Sequence, residues 1–180
     1  MDLVELIKQI LLILTLAGQI IFVGLLAAFF TRQKPVFAFV AKNVLFLGFV
    51  VAFTATLGSL FYSEIAGFEP CKLCWFQRIF MYPQVLLLGL AWLKKDFGMV
   101  RYSVILSSIG AIIAAYHYLL QIGVTPALSC SAVDVSAACS QRFVMAFGYI
   151  TIPMMALTAF VLIGTFMAIY IKESKKKSSV

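Results

Sequence analysis

Polar positions divide the chain into long apolar runs, and the lengths of those runs predict membrane helices before any single residue is considered. The first run extends from about Leu6 to Phe30 and is interrupted only by Lys8, Gln9 and Gln19. A helix needs roughly 20 apolar residues to cross a bilayer, so this run is long enough. It reads as a retained helix and not as a cleaved leader: Asp2 and Glu5 stand where a basic start belongs, the apolar core is too long, and no small-x-small site precedes Arg32. A basic connector, Thr31 to Lys42, carries the helix breaker Pro35. The second span then runs from about Phe37 or Asn43 to Tyr62. A short acidic loop from Ser63 to Pro70 leads into a third span, about Cys74 to Leu93, where Pro83 predicts a kink. The fourth span is about Tyr102 to Ile122. A longer polar loop, Gly123 to about Arg142, precedes the fifth, about Phe143 to Ile171.

Composition agrees with this division. The chain has 180 residues, 63% of them hydrophobic and 12% charged, with a mean hydropathy of +1.06, which excludes an ordinary soluble domain. The net charge of +7 does not point to nucleic acid, because the basic residues fall between apolar runs and on the tail without an aromatic-interleaved stripe. The polar segments are too short to fold separately, so a single membrane domain over 1–180 is expected.

Charge also predicts orientation. One face of the membrane would hold Arg32, Lys34, Lys42, Lys94, Lys95, Arg101 and the four lysines of the 172–180 tail; the other would hold only Lys8, Lys72 and Arg142. By the positive-inside rule the first face is cytoplasmic, which sets the N-terminus and all four cysteines outside. Disulfides persist on that side of a cell membrane.

Candidate chemistry gathers on the same side. Cys71 and Cys74 are two residues apart where the acidic loop becomes a helix, and an N-terminal turn favours the thiolate that carries out exchange. Cys130 and Cys139 lie in the other outer loop. On spacing alone, three readings of these thiols stay open: a redox relay, structural staples, and a metal site. Metal is the least favoured, since Cys130 and Cys139 lack a second short spacing and neither loop contains histidine.

Two membrane residues add to the picture. Arg78 follows Cys74 by four residues, on the same helix face and about 6 Å deeper. A charge at that depth either snorkels to the headgroups or marks a polar cavity. His117, the only histidine, falls at a similar depth on the fourth span with Gln121 one turn further out. The shared depth predicts a polar pocket between the third and fourth spans, just under the cysteine pair, able to hydrogen-bond the carbonyls of a lipid-soluble ring. No phosphate-binding glycine loop, catalytic triad or paired-carboxylate site is visible.

The string Cys71-Lys72-Leu73-Cys74-Trp75-Phe76-Gln77-Arg78, then Met81-Tyr82-Pro83, Tyr116-His117-Tyr118-Leu119-Leu120-Gln121, the second cysteine pair and Gly148-Tyr149-Ile150-Thr151-Ile152-Pro153 resembles the DsbB family of membrane thiol oxidoreductases, in particular its compact BdbC-like branch. The resemblance covers roughly Asn43 to Ile171. It implies an all-α membrane protein with a four-helix transmembrane bundle over 43–171; the 6–30 span departs from that pattern as an additional N-terminal transmembrane helix without a counterpart in it. It implies an enzyme of the bacterial cytoplasmic membrane that reoxidises an extracytoplasmic DsbA-like thioredoxin-fold protein and passes the electrons to a membrane quinone, ubiquinone or menaquinone. Carried over by position, Cys130 would form a mixed disulfide with the partner and Cys139 would exchange with Cys71. Cys74 would face the quinone, with Arg78 stabilising negative charge there and His117 as a further quinone contact. Two rival functions are a vitamin K epoxide reductase-like enzyme and a non-catalytic membrane subunit with structural disulfides. The order of the cysteines disfavours the first, because there the active pair follows the loop cysteines.

Overall fold

A computed structural model describes residues 3–124, 139 and 143–178. Among the described residues the long helices are α1 (Leu3–Phe30), α2 (Lys34–Lys42), α3 (Val44–Leu60), α4 (Lys72–Lys94), α5 (Met99–Gln121) and α6 (Ile152–Ser178). Among the described residues five stretches are long and apolar enough to cross a membrane: α1, α3 with the turn that follows it, α4, α5 and α6. The protein is a multi-pass helical membrane protein.

Local chemistry explains the boundaries. Arg32 and Lys95 take left-handed backbone, with φ of 53° and 55°, and so end α1 and α4. The uncertain start of the second span resolves into two helices. Pro35 sits in the first turn of α2, where its missing N–H costs nothing. Asn43 breaks the run, its backbone N–H and its side-chain amide both donating to Phe39 O. The fifth span starts later than its hydropathy suggests. Phe147 and Gly148 have φ of 52° and 77°, and Ala146 and Ile150 pair across the turn between them. That turn delays the helix to Ile152, and Pro153 then occupies its first turn instead of its interior.

In the bundle α3 packs on α4, α4 on α5, α5 on α6, and α6 closes back on α3, while α1 and α2 lie against α6. The core is formed by Phe160, Leu88, Ile163, Met167, Val44 and Val100, all nearly inaccessible. Helices approach closely where glycine permits. A Cβ on Gly110 would stand 2.3 Å from the Phe160 ring, a distance no packing tolerates. Outward-facing positions such as Ile20, Leu86, Leu93 and Ile112 are exposed and apolar, as lipid requires.

One polar cluster lies deep in the bundle. Gln84 is fully buried; its amide donates to Phe80 O, and its carbonyl oxygen accepts Ser103 Oγ at 2.7 Å and Ser107 Oγ at 3.0 Å. These bonds tie α4 to α5, the use that interhelical polar groups find in lipid.

The end of the bundle that carries the cysteines is shaped by aromatics. α3 finishes in a π-helical turn, Phe61–Ile65. From it the Tyr62 ring stacks on Phe68 in the following loop, and Phe68 stacks on Phe143 with centroids 4.9 Å apart. Phe68, which precedes Cys71, and Phe143, which follows Cys139, therefore belong to one ladder of rings.

Candidate functional site

Cys71 occupies the N-cap position of α4 with extended backbone, which puts Cys74 in the first turn of the helix. The Cys71 thiol donates to Cys74 Sγ at 3.6 Å. Burial closes over the next turn, where Gln77 and Arg78 are among the buried polar residues.

His117 reaches this pair from α5. It is 1% exposed, and its Nε2 stands 3.7 Å from Cys71 Sγ and 3.2 Å from the Cys139 carbonyl oxygen. On the other edge of the ring, the Gln77 amide donates to Nδ1 at 2.9 Å. This arrangement selects a tautomer. With Nδ1 accepting, the neutral ring carries its proton on Nε2, which donates to the Cys139 carbonyl and lies beside Cys71 sulfur; the other tautomer would set a lone pair against that carbonyl.

Cys139 is buried against the start of α4. The backbone N–H groups of Leu73 and Lys72 are directed at its sulfur. Its sulfur, Cys71 Sγ and a ring nitrogen of His117 all lie within 4.8 Å of one another. Both thiols hold their protons tightly. Cys71 is pushed up to about 11, first by its hydrogen bond to Cys74 and then by burial, with His117 pulling the other way. Cys139 is also raised to about 11, by burial first and then by Cys71, against the pull of the α4 N–H groups.

Arg78 faces away from this cluster, toward α3. Its Nε donates to Ser59 Oγ and its Nη2 to Ser59 O, both at 3.0 Å, and its guanidinium lies 5.1 Å from the Trp75 ring centroid and 5.9 Å from that of Tyr82. An arginine costs about 3 kcal/mol at the centre of a membrane helix on insertion scales, an upper bound for Arg78 in the second turn of α4. Hydrogen bonds from a charged donor return about 1.5–3 kcal/mol each, so two of them cover the cost. Among the described residues no carboxylate pairs with Arg78, and Ser59 uses only two of its five N–H donors.

A cavity of about 350 Å³ joins these parts. Cys71, Cys74, Gln77, Arg78 and His117 line its polar end, and apolar residues of α1, α3 and α6 line the remainder.

The sites expected from sequence are largely brought together: Cys71, Cys74, Cys139 and His117 form one cluster, with Arg78 beside it on the same cavity. Cys130 lies outside the described residues. The pocket is broader than the expected cleft between α4 and α5, because Arg78 is held by Ser59 of α3. Ser59 and Gln77 had no assigned role in the sequence. A serine near the end of an apolar run and a glutamine beside an arginine were the available signals, but only the fold shows what they hold. His117 also alters the metal argument. No histidine lies in either loop, yet this one reaches the loop thiols from within a span.

The family model described as "Disulfide bond formation protein DsbB" matches residues 41–170. The chain belongs to the DsbB family. Its DsbB relatives include the probable disulfide formation protein C 1 of Bacillus anthracis, 47% identical over 132 residues, which are 73% of this chain and 94% of that protein. Disulfide bond formation protein C of Bacillus subtilis (strain 168) is 45% identical over 69% of this chain and 90% of its own length. The SPbeta prophage-derived disulfide bond formation protein B of the same strain is 43% identical over 77% of this chain and 93% of that protein. No solved structure matches significantly. The DsbB match contains all four cysteines, Arg78 and His117, but begins after α1 and nearly all of α2.

Proposed function

We propose that this protein reoxidises a thioredoxin-fold thiol oxidase of the DsbA type and delivers the electrons to a membrane quinone. As a DsbB-family member it is a membrane disulfide-bond-formation protein, a disulfide oxidoreductase. The observation that carries the finer reading is the position of Cys74 between two different surroundings. On one side is Cys71, 3.6 Å away and itself within 4.8 Å of the loop thiol Cys139; on the other is a buried arginine that no carboxylate pairs with among the described residues, at the polar end of an apolar cavity.

The residues fit a lipid-soluble ring with acceptor oxygens. Arg78 keeps uncommitted N–H donors facing the cavity, and the apolar walls suit what surrounds the ring. When bound, the quinone supplies a two-electron, two-proton acceptor. The residues of this chain do the rest. A thiolate of the partner attacks the Cys130–Cys139 disulfide at Cys130 and frees Cys139. Cys139 attacks Cys71 of the Cys71–Cys74 disulfide, and Cys74 leaves as the thiolate next to Arg78. The second thiol of the partner resolves the mixed disulfide, releasing the oxidised partner and Cys130. Cys130 then re-forms its bond with Cys139, and Cys71 leaves. Two electrons depart from the Cys71–Cys74 dithiol, which closes again. The net change is one partner dithiol oxidised and one quinone reduced. His117 donates Nε2–H to Cys71 whenever that sulfur is anionic, and Gln77 holds the ring in the tautomer that permits it.

In this reading the cysteine loops face the extracytoplasmic side of the bacterial cytoplasmic membrane, and the lysine-rich end of α6 faces the cytoplasm. The test is reconstitution. The purified protein with quinone oxidises a reduced thioredoxin-fold partner, and quinone reduction stops with Cys74→Ser. Normal turnover by that variant would show that the disulfides are structural and the relay assignment wrong.

A further inference from the structure

The helix that precedes the DsbB match forms part of the cavity wall. α1 packs along α6, with Gly18 so close that a Cβ there would lie 3.0 Å from Leu162 Cδ1 and 3.1 Å from Thr158 Cγ2. Gln19 anchors it: Tyr149 OH donates to Gln19 Oε1 at 2.8 Å, and Gln19 Nε2 donates to Thr158 Oγ1 at 3.4 Å. Against α3, α1 makes contact toward the cysteine end, where Leu11 packs on Gly58.

One to three turns further from the cysteines, α1 and α3 both line the cavity, through Leu14, Ala17 and Ile21 on α1 and Val50, Val51 and Thr54 on α3. Four of these residues are also exposed: Leu14 is 47%, Ile21 50% and Val50 41% accessible, and Ala17 is exposed beside them. Residues that line a cavity and also face outward stand at its mouth. The mouth therefore opens sideways, between α1 and α3, into the hydrocarbon of the membrane. Val50 precedes Ser59, the partner of Arg78, by nine residues, so the mouth lies about 13 Å along the helix from the polar end.

Resting on the quinone reading above, we infer that α1 is the outer wall of a lateral channel for the polyprenyl tail of the quinone, and that its Leu14–Ala17–Ile21 face decides which tails enter. The ring belongs at the polar end beside Arg78, and a tail attached to it must leave the cavity somewhere. The mouth between α1 and α3 is apolar, continuous with the ring site and at membrane depth. Lipid is as apolar as this channel, so its walls add little hydrophobic gain; they act by shape, admitting a tail that fits and excluding one that does not.

The test is binding to the full-length, oxidised protein in lipid nanodiscs, measured by equilibrium dialysis with menaquinone and with tail-less dimethylnaphthoquinone. Ala17→Trp and Thr54→Trp fill the mouth from opposite sides. Each is expected to weaken menaquinone binding about tenfold or more while leaving the tail-less ring within about twofold. Val23→Trp, on a lipid-facing position of α1 away from the cavity, should change neither. In the unmodified protein, a menaquinone analogue with a diazirine at its tail should label α1 and α3. Unchanged menaquinone affinity in both mouth variants, equal loss of both ligands, or labelling confined to α4 and α5 would overturn the inference while leaving the ring site standing. If the unmodified protein binds neither compound, the quinone reading itself fails.

Discussion

Two groups of polar side chains are buried in the same bundle, and they are built to opposite rules. Around Gln84, α4 and α5 meet so that the carbonyl accepts two serine hydroxyls and the amide donates to Phe80 O; nothing there opens to a cavity. Around Cys74, the Cys71 and Cys74 sulfurs stand 3.6 Å apart, the group lines a cavity, and Arg78 holds donors that Ser59 does not use. Burial of polar groups in a membrane is costly in both places. A closed network repays that cost in helix packing, whereas an open one leaves interactions available to a reacting molecule. The distinction between glue and chemistry thus lies in unspent hydrogen-bonding capacity and access, more than in how polar or how buried a residue is.

The sharpest way to break this contrast is Cys74→Ser, which should abolish quinone reduction in a reconstituted assay while leaving the helical circular dichroism unchanged. Next comes Arg78→Ala. It should lower the quinone step about a hundredfold, the scale of losing a preorganised donor at developing negative charge, and should slow thiol exchange with the partner far less. Equal loss of both rates would move Arg78 into the structural class. The third concerns protons. Because Cys71 in the reduced protein is raised to about 11, its alkylation by iodoacetamide should climb about tenfold per pH unit past pH 9, where an ordinary thiol levels off. Since the first cause is the hydrogen bond to Cys74, Cys74→Ala should move that plateau to lower pH. The smallest functional effect belongs to the other cluster. Gln84→Leu orphans two serine hydroxyls and should cost about 1–3 kcal/mol of stability in a denaturation assay, with turnover per folded molecule unchanged.

Much of this arrangement was legible in the sequence because membrane physics is one-dimensional. Span number, the gathering of Cys71, Cys74 and Cys139 at one end of the bundle, and the shared level of Arg78 and His117 along α4 and α5 follow from counting residues along helices. The start of α6 was not legible, since Phe143 to Thr151 is as apolar as a helix and only the left-handed backbone at Phe147 and Gly148 reveals a turn. Nor was the rotation of α4, which sends Arg78 to Ser59 on α3 and Gln77 to His117 on α5. Adjacent residues point about 100° apart on a helix, but which neighbour each one meets depends on how the bundle closes. The role of α1 was hidden for the same reason: hydropathy reports that a helix crosses the membrane, not which groove it covers.

The ladder from Tyr62 through Phe68 to Phe143 acts as a tether. Phe143 is four positions after Cys139, and even fully extended those four steps span only about 14 Å. While Phe143 stays stacked, Cys139 is leashed to the mouth of the bundle. The relay proposed above needs a sulfur that can leave Cys71 for Cys130 and come back, and a short leash would make each return a local search instead of a diffusive one.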